Sequence, residues 1–109
     1  VAAGGLWRLV GRVEVTGDSM RPALQPGDRL LVLRCGPVRV GDVVAVADPR
    51  RPARTMLKRV AGRGPAGITV LGDNPAASTD SRSFGPLADA GVRGRALYRY
   101  FPDDRRGLL

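Results

Sequence analysis

Val15-Thr16-Gly17-Asp18-Ser19-Met20-Arg21-Pro22 ends one strand and opens a tight turn. Val13 and Val15 alternate with polar residues, the period of a half-buried strand. The pattern stops at Gly17, which can take backbone angles closed to other residues. Pro22 fixes its own φ and restricts Arg21 before it. Ser19 is therefore expected on a turn at a strand end, with its N–H outside the ladder. A serine placed this way presents its hydroxyl, and the backbone N–H groups of Gly17, Asp18 and Ser19 are candidates to face an oxyanion. All three residue types also favour ordinary turns, so the stretch alone leaves both readings open.

Outward from this turn the chain repeats one pattern. Short apolar runs at Leu30 to Leu33, Val43 to Ala47, Thr55 to Ala61, Ile68 to Leu71 and Val92 to Phe101 read as strands. Leu30 to Leu33 is continuous and predicts a strand buried on both faces. Turn signals separate the runs: Gln25-Pro26-Gly27-Asp28, Gly36 to Gly41, Gly62 to Gly67 and Gly72-Asp73-Asn74-Pro75. Arg50 to Arg54, basic and proline-containing, reads as a loop. Ala76 to Gly85 reads as a polar loop, with helical turns at Pro22 to Leu24 and within Pro86 to Gly91. Val1 to Arg8, with Trp7, reads as a loose arm, and the segment after Pro102 as a frayed polar tail. Short strands at this spacing predict an all-β fold, a small, partly open barrel or sandwich of mostly antiparallel strands. At 109 residues the chain is expected to be a single domain, with residues 1–9 as arm and 103–109 as tail.

Composition narrows the chemistry. The chain has no histidine and one cysteine, which excludes Ser-His-Asp and Cys-His catalysis, an intrachain disulfide and the His-bearing zinc sets. No cofactor or metal is expected. No stretch approaches the roughly 20 apolar residues of a membrane-spanning helix, so the chain is expected in the cytoplasm or peripherally at a membrane. The net charge of +8 favours acidic partners or anionic surfaces. Its arginines are scattered rather than blocked, which speaks against nucleic acid as a partner.

Of 18 basic residues, Lys58 alone is lysine and the other 17 are arginine. Arginine stays protonated in proteins, whereas a buried lysine can lose its proton. The period of two puts Met56, Lys58 and Val60 on one strand face and Leu57 and Arg59 on the other. Desolvation beside Met56 and Val60 disfavours the ammonium, the usual route to a neutral amine able to take a serine proton. Ser19 and Lys58 are 39 positions apart, so only the fold can bring them together.

Gly17-Asp18-Ser19-Met20-Arg21-Pro22, Gly27-Asp28, Leu57-Lys58-Arg59-Val60, Gly72-Asp73-Asn74, and Ser78-Thr79-Asp80-Ser81-Arg82 with Phe84-Gly85 together resemble the signal peptidase I superfamily of Ser-Lys proteases. The motifs keep the family's order from about Val13 to Tyr100. The resemblance implies Ser19 as nucleophile, Lys58 as general base and Ser78 as the hydroxyl that orients the lysine. It implies Asp80 and Arg82 as an ion pair supporting the site, and Met20 as a residue beside the substrate pocket. Gly17 departs from members that carry a serine there as an oxyanion donor. Asp48-Pro49-Arg50, Asn74-Pro75, Phe84-Gly85-Pro86 and Phe101-Pro102 are similar to the nickel superoxide dismutase maturation proteases of that superfamily.

The expected function is thus a serine endopeptidase that removes an N-terminal leader from a protein precursor, nickel superoxide dismutase by this likeness. A general signal peptidase at a membrane, a self-cleaving repressor-type protease and a basic barrel for single-stranded nucleic acid are the alternatives. Against the barrel, only Tyr98 and Tyr100 pair on one strand face, a thin aromatic platform.

Overall fold

Hydrophobic alternation sets the layers. In the computed structural model, which describes residues 9–109, seven strands form one antiparallel sheet. They are β1 (Val10–Glu14), β2 (Arg29–Leu33), β3 (Val43–Asp48), β4 (Arg51–Gly64), β5 (Gly67–Leu71), β6 (Val92–Phe101) and β7 (Gly107–Leu108). The order across the sheet is β1-β2-β6-β3-β4-β5, with β7 beside β6. The all-β expectation holds, and the sheet is open rather than closed into a barrel. The arm at Val1 to Arg8, with Trp7, lies outside the described residues. Among the described residues, no helix is long and apolar enough to cross a membrane.

Strand β3 lies between β6 and β4, and its alternating side chains feed two cores. Val43 and Ala45 pack with Val15, Met20, Leu24, Leu30, Val32, Leu57 and Ala96. Val44 and Val46 pack with Met56, Val60, Ile68, Val70 and Leu87. The face assignment on β4 agrees: Leu57 enters the first core, Met56 and Val60 the second. Strand β2 corrects the expectation of burial on both faces. Leu30 and Val32 are buried, but Leu31 and Leu33 are only partly so, because a single core covers this strand.

Two loop readings also fail. β4 begins at Arg51, inside the basic stretch read as a loop. A register shift lies between Ala47, opposite Thr55, and Asp48, opposite Arg51, so Pro52 needs no ladder bond of its own. Arg93 instead donates to the Pro52 carbonyl (2.6 Å) and to Thr55 Oγ1 (3.1 Å). The polar loop from Ala76 to Gly85 contains a 3₁₀ turn (Pro75–Ala77) and a short α-helix (Ser81–Phe84).

The tail is not frayed. Asp103–Arg105 forms a 3₁₀ turn and β7 pairs with β6, matching Tyr98 with Leu108. The cause is Asp28, a fully buried carboxylate in the second turn of the chain. It accepts from the Gln25 N–H (2.9 Å), from Arg99 Nη1 (3.3 Å) and from Arg105 Nη2. A buried carboxylate requires such partners, so the C-terminal segment is drawn back to the sheet. Asp28→Ala should lower unfolding free energy in urea by about 3–5 kcal/mol, the usual effect of removing one partner of a buried pair. Glu14→Ala, which removes the exposed Glu14–Arg29 pair, should stay within about 1 kcal/mol.

Candidate active site

Ser19 lies in the β1–β2 connection. Gly17 has φ +75, and a Cβ there would meet nothing, so glycine serves the backbone angle rather than space. Below the turn, Met20 is 1% exposed in the first core, and Leu24 donates its N–H to the Met20 carbonyl (2.9 Å). Met20 also lines the cavity beside Ser19, so it joins core to cleft. Among the described residues, the Ser19 N–H has no hydrogen-bond acceptor.

The Gly72-Asp73-Asn74 turn fastens Ser19 from the other side. The Asn74 N–H donates to the Ser19 carbonyl (2.8 Å), and Asn74 Nδ2 to the Asp18 carbonyl (3.1 Å). Asp73 accepts a fork of two bonds from Arg59, each 2.8 Å, and Arg59 also donates to the Gly41 carbonyl. Arg59 thus ties β4 to the turn that holds Ser19. Gly72 makes the approach possible. A Cβ there would sit 2.2 Å from Ser78 Oγ and 2.8 Å from the Ser19 carbonyl oxygen. Gly72, Asp73, Asn74 and Arg59 lie in motifs that carry the family likeness, but the sequence assigned them no individual role beyond a turn at Gly72-Asp73-Asn74-Pro75.

Lys58 is 4% exposed, across from Val44 of β3 and flanked on its own face by Met56 and Val60. Its amine donates to Ser78 Oγ (3.2 Å). Ser78 in turn donates to Asp80 Oδ2 (2.7 Å). Asp80, 1% exposed, also accepts from the Gly72 N–H (2.8 Å) and from the guanidinium of Arg82 (2.5 and 2.9 Å). Its side chain caps the Ser81–Phe84 helix through the Arg82 N–H. Ser81 Oγ accepts from the Val70 N–H, fixing that helix to β5.

These contacts set the charges. Arg82 above all, assisted by the N–H and hydroxyl donors, holds the Asp80 carboxyl far below its ordinary range. An ionised Asp80 can only accept, so the Ser78 hydrogen points to it and a Ser78 lone pair faces the amine. Burial lowers the Lys58 pKa; Asp80 pulls it back up, and Arg54, Arg50 and Arg82 push it down. Ser19 and Lys58 border a common cleft of about 120 Å³ with Arg50, Arg54, Met56 and Thr79. A smaller, adjoining cavity of about 50 Å³ also contains both, with apolar walls from Val15, Met20 and Leu57. The fold therefore brings Ser19, Lys58, Ser78, Asp80 and Arg82 to one place, and the lysine's hydrogen bond goes to Ser78 rather than to Ser19.

The family model described as signal peptidase, peptidase S26, matches residues 2–70 and 65–101. The chain belongs to the S26 signal peptidase family. A mitochondrial ATP-independent inner membrane protease subunit 1a of Arabidopsis thaliana is 36% identical over 93% of this chain and 76% of its own length. The mitochondrial inner membrane protease subunit 1 of Xenopus tropicalis is 30% identical over 94% of this chain and 77% of its own. A probable signal peptidase I-1 of Synechocystis is 28% identical over 87% and 73%. The S26 chain is thus a peptidase, related to membrane proteases; these relatives are inner membrane and signal peptidases, not nickel superoxide dismutase maturation proteases.

In the S26 chain the packing at Gly72 gives a direct test. Gly72→Ala should be destabilised by about 1–3 kcal/mol, the range for forcing extra volume into a packed site. Amide shifts should move at Ser19 and Ser78 together, as read by NMR. The acid limb of stability is a second test. Asp80 has a depressed folded pKa, so its contribution is present above the unfolded value near 3.8 and is lost as pH falls through the folded one. Urea denaturation across this range should show a shallower acid loss in Asp80→Asn than in the parent protein.

Proposed function

We propose that this S26 peptidase is a serine endopeptidase with a Ser19–Lys58 dyad that removes an N-terminal leader from a protein precursor. The observation that carries this reading is a buried lysine amine, lowered in pKa and bonded to Ser78, on a cleft that it shares with Ser19. In the first step Ser19 Oγ attacks the scissile carbonyl and its proton passes to neutral Lys58. The Ser19 N–H is the first donor for the oxyanion. Lys58 then gives the proton to the leaving amine, and water hydrolyses the acyl-Ser19 ester by the reverse route. Ser78 orients the amine and the Asp80–Arg82 pair supports Ser78. The small cavity at Met20 accepts a small side chain of the substrate.

The precursor named by the motif likeness is that of nickel superoxide dismutase, whose metal would belong to the substrate. The inner membrane proteases among the relatives favour a second setting, leader removal at a membrane surface with the chain bound peripherally. Co-expression with the nickel superoxide dismutase precursor, read by intact mass, separates the two. An untrimmed precursor, with a generic leader peptide still cleaved, overturns that substrate and keeps the dyad.

Ser19→Ala and Lys58→Arg should both remain folded and lose cleavage of a fluorogenic leader peptide, since a guanidinium is no base near neutral pH. Ser78→Ala should lower kcat more than it raises KM, because the orientation is needed in the transition state. Turnover by folded Lys58→Arg would remove Lys58 from the mechanism. The parent's kcat/KM should rise with pH as Lys58 loses its proton, and with no histidine no imidazole can supply that limb. The linkage sign is opposite to that of a paired lysine. Between the depressed folded pKa and the ordinary value of 10.5 the unfolded chain binds the proton and the folded chain does not. Stability therefore falls as pH drops through this window and levels off below the folded pKa. Lys58→Met should remove that slope and melt higher than the parent near neutral pH.

A further inference from the structure

The face of β4 that carries Lys58 also carries an arginine into the cleft. The period of two that sets Met56 beside Lys58 continues to Arg54, so the three share one face. Arg54 borders both cavities that contain Ser19 and Lys58. Along the strand its Cα lies about 13 Å from that of Lys58, and the long side chain covers part of that distance.

Arg54 is only loosely held. Its side chain is 60% exposed, and Nη1 stands 3.8 Å from Asp48 Oδ2. Both oxygens of that carboxylate are already taken by Arg50. The Arg50 N–H (2.9 Å) and Nε (3.1 Å) donate to Oδ1, and Nη2 (3.1 Å) donates to Oδ2. At 3.8 Å the Arg54 contact is an attraction between charges without a hydrogen bond. The other charged groups of the cleft have closer partners. Arg50 is held by Asp48 and lies 5.9 Å from the Phe84 ring. Lys58 donates to Ser78, Asp18 accepts from Arg21 Nε (2.5 Å), and Glu14 lies 3.4 Å from Arg29 Nε. Among the described residues, Arg54 is thus the cleft cation whose donors no acceptor has taken.

We propose that Arg54 selects precursors by pairing with an aspartate or glutamate of the substrate no more than four residues from the scissile bond. A guanidinium presents paired donors that match the two oxygens of a carboxylate. An extended peptide covers in four residues the length that β4 covers between Arg54 and Lys58, which sets the limit. The inference rests on the Ser19–Lys58 reading and adds to it the charge of one substrate residue. Because the side chain is exposed, solvent screens the pair and the preference is modest. Arg54 also opposes the ammonium form of Lys58, so a substitution there reaches the base as well. Ratios between two peptides within one variant cancel that second effect.

The test uses the full chain and a fluorogenic leader peptide with alanines at the cleavage site. One aspartate is moved through the four residues on either side of the scissile bond, and each peptide has an asparagine twin. For every pair kcat/KM is measured on the parent, and affinity is measured by fluorescence anisotropy on Ser19→Ala, which binds without cleaving. At one position the aspartate peptide should be favoured about threefold to tenfold in both readouts, the scale of a solvent-screened charged contact. Added salt should shrink that preference. Arg54→Gln should bring the ratio to about one, and Arg54→Glu should favour a lysine peptide over the asparagine twin at the same position. Arg51→Gln removes an exposed arginine of the same strand outside both cavities and should leave the ratio unchanged. Ratios near one at every position in the parent overturn the proposal, as does a preference that survives Arg54→Gln. An equal loss in Arg51→Gln means attraction by net charge and overturns it too. A parent that cleaves no peptide defeats the dyad reading instead. The anisotropy ratio in the Ser19→Ala background, with and without Arg54→Gln, then decides Arg54, and equal affinities overturn its role.

Discussion

The hydrogen bond from Ser78 to Asp80 is the contact on which the rest of the site depends. Asp80 is almost fully buried, and its two oxygens take up Gly72, Ser78 and Arg82. Each of these donors fixes a different element. Gly72 follows β5 and begins the turn that grips Ser19. Ser78 leads to Lys58 on β4. Arg82 belongs to the short helix that Ser81 fastens to β5. One carboxylate therefore sets the distance between two segments far apart in the chain, the Ser19 turn and strand β4. A longer side chain at Gly72 or a missing acceptor at Asp80 would let these segments separate independently.

The same device recurs away from the site. Asp28 gathers Gln25, Arg99 and Arg105 and closes the C-terminal segment onto the sheet. Asp48, 2% exposed, holds Arg50 in a fork and Arg54 at longer range. Arg50 lowers the Asp48 pKa much as Arg82 lowers that of Asp80. A sheet of this size has a modest apolar core, and buried aspartates with arginine forks position its loops where apolar packing cannot. The use of arginine is consistent with that task, because a planar fork specifies direction as well as charge. Lys58 is the exception: a single point of attachment that can shed its proton.

The strands were legible because their period and their glycine and proline boundaries are local signals. So was the face of β4, where Met56, Lys58 and Val60 follow from a period of two. What escaped were features whose cause lies elsewhere in the chain. Arg51 to Arg54 extends β4 because Arg93, some 40 positions later, satisfies Pro52 and Thr55. The tail is ordered because Asp28, near the start, needs Arg105. Leu31 and Leu33 are only partly covered because β2 has one core rather than two. Asn74 and Arg59 gained their roles through contacts with Asp18, Ser19 and Asp73 that no local pattern displays. The residue types of the site were legible from the motif likeness, whereas the chain of bonds from Arg82 to Lys58 required coordinates.

That chain of bonds resolves a conflict in the electrostatics. A bare carboxylate near Lys58 would favour the ammonium and defeat the effect of burial. Yet Ser78 needs a strong acceptor to keep its lone pair toward the amine. Arginines meet both demands. Pairing with Arg82 keeps the Asp80 carboxylate an ionised acceptor for Ser78. Arg54 and Arg50 at the cleft, and to a lesser degree Arg82, oppose its field at Lys58, and burial is the leading influence on the amine. The arginines around the cleft therefore do more than solubilise the chain: they oppose the pull of a buried aspartate on the Lys58 proton while that aspartate holds Ser78.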